Sequence, residues 1–113
     1  LSNNAAPGEL SDLALDKEGF LRNLNDWSEA VAVELARAEN ISLSPDHWEI
    51  IRLLRVFYNR HQIAPANRAL VSLVKKELGT DKGRSVYLMR LFRGSPAKTA
   101  SKIAGLPKPD NCL

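Results

Sequence analysis

Three prolines decide where this chain can be helical. Pro45 follows Ser44, Pro65 follows Ala64 and Pro96 follows Ser95. Proline has no backbone N–H, so it fits the first turn of a helix, where that group would be unpaired anyway, and breaks a helix further in. Each of the three is followed by apolar residues spaced three and four apart, the repeat of one helical face. From residue 45 onward the chain therefore reads as successive helices rather than as a sheet.

The first of these carries Trp48, Ile51, Leu54, Phe57 and Tyr58 on one side and Arg52, Arg55 and Arg60 on the other, and reads as the central core helix. The next carries Leu70, Leu73, Val74 and Leu78 and ends before Gly79, a residue suited to a left-handed cap. A fourth carries Val86, Leu88, Leu91 and Phe92, and a short fifth carries Ala97, Ala100, Ile103 and Ala104 and should close at Gly105. Upstream, Asp26 and Glu29 stand in capping-box positions for a helix running to about Glu39. Before that, apolar stretches between Leu13 and Leu24 flank Asp16-Lys17-Glu18-Gly19, a turn that could fold them into a β-hairpin. The expected fold is mainly α: a small orthogonal helical bundle with an N-terminal β-hairpin. Its expected divisions are a disordered tail over 1–12, a helical domain over 13–105 and an arm over 106–113.

The arm follows from Pro107 and Pro109, whose alternation favours an extended, polyproline-like and flexible segment. Cys112 stands on it, second from the end of the sequence, and is the single cysteine among 113 residues. Cysteine is usually a buried packing residue, but a thiol beyond two prolines near a chain end is expected to be reachable. Its neighbours are acidic, so cations must supply any stabilisation of the thiolate when the arm docks. Arg68, Arg90, Lys98, Lys102 and Lys108 are the candidates. A thiol on an arm suits a carrier that visits one protein to take a group and another to deliver it. An enzyme acting alone would hold its nucleophile beside a base.

The net charge of +3 hides an uneven division. Residues 1–44 hold three basic and eight acidic side chains, and the remainder hold thirteen and five. The basic part suits an acidic partner, either nucleic acid or protein, although a solvated helical surface would look the same. One cysteine cannot build a disulfide framework, no apolar run is long enough for a membrane span and the first residues do not read as a secretory signal. A cytoplasmic protein without membrane attachment is expected. His47 and His61 lack the partners of a zinc site, and the glycines form no nucleotide-binding loop, so neither metal nor cofactor is expected. The helices at 45–61 and 66–78 have the outline of a helix-turn-helix, with Asn67, Arg68 and Ser72 as base-reading groups. DNA binding therefore stays open as an alternative.

Several segments together carry a resemblance: Ser42 to Trp48, Pro65-Ala66-Asn67-Arg68, Tyr87 to Phe92, and above all Pro96-Ala97-Lys98 through Lys102-Ile103-Ala104-Gly105-Leu106-Pro107-Lys108-Pro109 with Cys112-Leu113. From about Leu15 onward the chain resembles the DsrC/TusE family. The resemblance implies a helical bundle with a hairpin and a protruding arm. Members serving dissimilatory sulfite reductase are set apart by a second cysteine immediately before the KIAGLPKP segment, and here that position is Ser101. A hydroxyl cannot take part in disulfide chemistry. The chain is thus more similar to the single-cysteine members, which implies that Cys112 accepts a persulfide sulfur and passes it on for 2-thiouridine modification of tRNA. The implied partners are an upstream Tus-type relay complex, a downstream tRNA thiolation enzyme and tRNA itself near the basic surface. A partner or regulator in another sulfur pathway is the alternative within the family.

Overall fold

The structure, a computed structural model, describes residues 12–110. Five α-helices follow one another: α1 (Glu29–Ala38), α2 (Pro45–His61), α3 (Asn67–Leu78), α4 (Ser85–Phe92) and α5 (Pro96–Ile103). The mainly helical expectation holds, and the proline-marked starts of α2 and α5 fall where the sequence places them, whereas α3 starts at Asn67 with Ala66 as its N-cap, so Pro65 stands just outside it. Three further details differ.

The hairpin over 13–24 does not form as paired strands among the described residues. A single antiparallel bridge joins Leu15 to Leu21. The turn itself is present, because Asp16 Oδ1 accepts from the backbone N–H of Glu18 at 2.9 Å and of Phe20 at 3.0 Å. By claiming the Phe20 N–H, that carboxylate replaces part of the ladder a longer hairpin would use. The chain then passes into a short 3-10 turn at Leu24–Asp26.

That turn also displaces the expected cap of α1. Asp26 belongs to the 3-10 turn, and Ser28 is the N-cap, its side chain accepting from Val31 N–H. Both are good cap residues, and the extended Trp27 between them decides the matter.

The third difference is the identity of the central helix. α5, not α2, is the hub, since it packs against each of the other four helices. Pro96, Ala97, Ala100, Ser101 and Ile103 are all buried. Small side chains let neighbouring backbones approach, so a helix of eight residues can sit among four others. α2 gives Ile50, Ile51 and Leu54 to the core, α3 gives Leu70 and Val74, and α4 gives Leu88 and Phe92. Trp48, Phe57, Tyr58 and Leu73 are only half-buried.

Polar contacts fix the helices around this hub. His47 Nδ1 accepts from Ser44 N–H at 3.0 Å, which leaves the ring hydrogen on Nε2 to reach the Leu91 carbonyl at 2.8 Å and pin α2 to α4. The start of α5 is capped from outside: Asn67 Oδ1 accepts from Ala97 N–H at 2.8 Å, while Asn67 Nδ2 donates to Ser95 Oγ at 3.1 Å. Ser95 makes no side-chain cap of its own.

Candidate functional site

Cys112 lies outside the described residues, so what the structure shows of the site is its root: the end of α5 and the first residues of the arm. The end of α5 is a complete Schellman closure. Leu106 N–H donates to the Ser101 carbonyl at 2.9 Å and Gly105 N–H to that of Lys102 at 3.1 Å. The next two carbonyls are claimed by side chains from distant elements. Trp27 Nε1 donates to Ile103 O at 2.9 Å, and Arg55 Nη1 donates to Ala104 O at 2.7 Å. The Arg55 guanidinium also stacks over the Trp27 ring, 3.8 Å from its centroid. Burial pushes the Arg55 guanidinium below its ordinary pKa. Arg55 therefore does not point into solvent as its place among α2's polar residues suggested.

Gly105 is fixed by this arrangement. Its φ is +73°, and a Cβ there would lie 2.3 Å from Cδ1 of Trp27. The chain turns at Gly105 and lays down its first arm residues against the body: Leu106 is 2% exposed and Pro109 is buried, while Pro107 and Asp110 face solvent.

The candidate cations separate into groups. Lys98 Nζ lies 2.8 Å from Glu18 Oε2, and Lys108 Nζ lies 3.0 Å from Glu18 Oε1. One carboxylate in the Asp16–Gly19 turn thus joins α5 to the arm. The hydrogen bonds from Lys98 and Lys108 hold the Glu18 carboxyl down to about 2. Lys102 is bonded instead to Glu39 Oε2 at 3.0 Å, lies 5.3 Å from the Phe20 ring centroid and is largely covered. Arg68 and Arg90 are exposed on α3 and α4 and take no part in these pairs. Ser101 is fully buried in α5, and its Oγ has no hydrogen-bond partner among the described residues.

Glu18, Trp27 and Arg55 are the residues that sequence reasoning missed. Glu18 was legible only as part of a turn, and its partners stand at 98 and 108. Asn67, proposed as a base-reading group, uses its amide to cap α5. Among the described residues no three His, Cys, Asp or Glu side chains gather as a metal site, and no helix is long and apolar enough to cross a membrane.

The chain matches the family model described as "DsrC like protein" over residues 9–113. It is 50% identical over 103 residues to sulfurtransferase TusE of Sodalis glossinidius, covering 91% of this chain and 95% of that protein. It is 49% identical over 105 residues to sulfurtransferase TusE of Escherichia coli K12, covering 93% and 96%. Among solved structures it is similar to DsrC of Allochromatium vinosum, at 50% identity and a TM-score of 0.81, covering 89% of this chain and 90% of that one. It is also similar to the oxidized gamma-subunit of the dissimilatory sulfite reductase (DsrC) from Archaeoglobus fulgidus, at 42% identity and a TM-score of 0.77, covering 89% and 92%.

Proposed function

Because this chain belongs to the DsrC-like family, we propose that it is a sulfur carrier of the TusE kind, which takes a sulfur atom onto Cys112 and hands it on in the relay that thiolates tRNA. The observation that carries this reading is the pairing of one thiol on the arm with Ser101, a buried hydroxyl, where a two-cysteine relative would hold its second thiol. Without that second thiol, an internal disulfide cannot be part of the cycle.

The chemistry is an exchange between thiolate and persulfide. The Cys112 thiolate attacks the outer sulfur of a donor persulfide, a new S–S bond forms, the donor's S–S bond breaks and the donor cysteine leaves as its thiolate. The sulfur atom moves without net oxidation or reduction. Delivery repeats the step, with the Cys112 persulfide now the donor and the acceptor's thiolate the attacking group. An unperturbed thiol has a pKa of about 8.5, so the pocket of each protein partner must favour the anion.

In this reading residues 13–105 are the body and 106–113 the arm that presents Cys112. The body's contribution is direction: Trp27, Arg55 and the Glu18 ion pairs hold the arm's first residues in one path. Lys98 and Lys108 serve that anchoring, and Arg68 and Arg90 are the candidate cations still exposed. The partners are an upstream Tus-type complex and a downstream tRNA thiolation enzyme, and the place of work is the cytoplasm, where a lone thiol stays reduced.

Intact-protein mass spectrometry tests the proposal. The chain is incubated with a cysteine desulfurase, cysteine and the upstream relay proteins, beside Cys112→Ser. A gain of one sulfur mass in the wild type alone is the expected result. No gain, with the relay active on a known acceptor, would overturn it.

A further inference from the structure

α2 carries more apolar surface than the core uses. Ile50, Ile51 and Leu54 face inward, and a second stripe at the same helical spacing runs from Leu53, partly packed against the core, to Val56 and Phe57. Val56 is 56% exposed. α3 repeats this, with Leu70 and Val74 in the core and Ala69 and Leu73 outside it. The two outer stripes meet in one groove, because Phe57 and Leu73 line both of its adjoining cavities, of ≈ 140 and ≈ 680 Å³. A continuous apolar surface of this kind, aliphatic around the Phe57 ring, marks an interaction site more often than chance exposure does.

The rim states the charge of the occupant. Arg60, Arg68 and Lys76 border the groove against a single acid, Glu77. One end of the groove, at His61 and Ala66, lies at the turn that reaches the arm. The turn between α2 and α3 places Gln62, Ile63 and Ala64 around a cavity shared with Pro107, Lys108 and Asp110 of the arm. An occupant that reaches the turn end of the groove, at His61 and Ala66, therefore comes near the first residues of the arm.

We propose that the α2–α3 groove docks an acidic, amphipathic helix of a protein that exchanges sulfur with Cys112, a proposal that rests on the carrier reading. A helix laid between two helices matches apolar residues at three- and four-residue spacing to the floor and sets its acids against the rim. Leu53, Val56, Ala69 and Leu73 surround Phe57, whose half-buried ring pairs with His61 at 4.5 Å between centroids, so the floor offers aliphatic contact to a helix and no run of open rings on which successive RNA bases would stack. Docking raises the concentration of the thiol at the partner's reactive sulfur without asking the arm itself to bind tightly.

The test measures binding rather than transfer, so it is independent of whether sulfur moves. Affinities of the full chain carrying Cys112→Ser are measured for the upstream relay complex and for the downstream thiolation enzyme. Val56→Glu, Ala69→Glu and Arg68→Glu are then added singly, with Val86→Glu on α4 as a control exposed outside the groove, and circular dichroism checks that each variant folds. The expected result is a loss of at least tenfold in affinity for one of the two proteins with each groove variant, none with the control, and a weaker salt dependence for Arg68→Glu. Groove variants that bind both proteins as before, or a parent chain that binds neither, would overturn the proposal. So would groove variants that abolish tRNA binding, or dissociate a dimer of this chain, while protein affinities hold. Mass gain on Cys112 reports separately on the carrier reading.

Discussion

Two independent constraints meet at Gly105: a backbone angle of +73° that a side chain disfavours, and Trp27 Cδ1 lying 2.3 Å from where a Cβ would stand. Gly105→Ala should therefore cost roughly 2 to 4 kcal/mol, strain and overpacking together. In a domain of this size the melting temperature should fall by roughly 10 °C or more. Thermal denaturation checks this, and an unchanged melting temperature would mean that the ring moves aside freely. Ser101 is the opposite case, a polar group buried without a partner among the described residues. A hydroxyl that has given up water and received nothing in return lowers stability, so Ser101→Ala should raise it by about 1 kcal/mol. Urea unfolding should show a higher midpoint at unchanged slope, with sulfur loading of Cys112 unaffected.

Elements were readable from sequence where backbone chemistry marks their ends, and unreadable where distant groups decide them. Ser44-Pro45 opened α2 as expected, and Gly105 closed the last turn after α5. The start of α1 was misplaced because Asp26 and Ser28 are both good caps two residues apart. The hub role of α5 had no sequence signal, since alanines mark a helix face as compatible with close packing without saying that four partners use it. Of the proposed site, the thiol, which lies outside the described residues, was singled out by its position in the chain alone. The clamp on the arm's root was not, because Arg55 sits among solvent-facing residues of α2, and Trp27 and Glu18 are joined to α5 only by the fold. The Glu18 turn has its own consequence in acid. Its carboxyl is lowered from the usual 4.5 to about 2, first by Lys98 and then by Lys108. A group whose pKa is depressed on folding stabilises fully above its unfolded value and loses that contribution as pH falls through the folded one. The window is thus from about 4.5 down to about 2. Across it the wild type should lose stability more steeply than Glu18→Gln, measured by urea unfolding at successive pH values, and equal slopes would show that the ion pairs contribute nothing.

A carrier must hold its body still while one end of the chain reaches other proteins, and this fold joins the two demands at one helix. α5 touches every other helix, and the arm begins where α5 ends. Such a helix cannot open alone, because releasing it uncovers core side chains of α1, α2, α3 and α4 at once. Beyond Gly105 burial becomes intermittent: Leu106 and Pro109 are buried and Lys108 is paired with Glu18, but Pro107 and Asp110 face solvent. Amide hydrogen exchange separates these behaviours, since protected amides exchange either by local opening or by unfolding of the whole domain. The amides of Ala100, Ser101 and Ile103 should exchange with a free energy equal to that of global unfolding measured in denaturant, while those of Lys108 and Asp110 should exchange far faster. Exchange of α5 through a smaller opening, at a free energy well below the global value, would mean that the arm can lengthen by unravelling its own root. The carrier would then reach its partners by partial unfolding rather than from a fixed base.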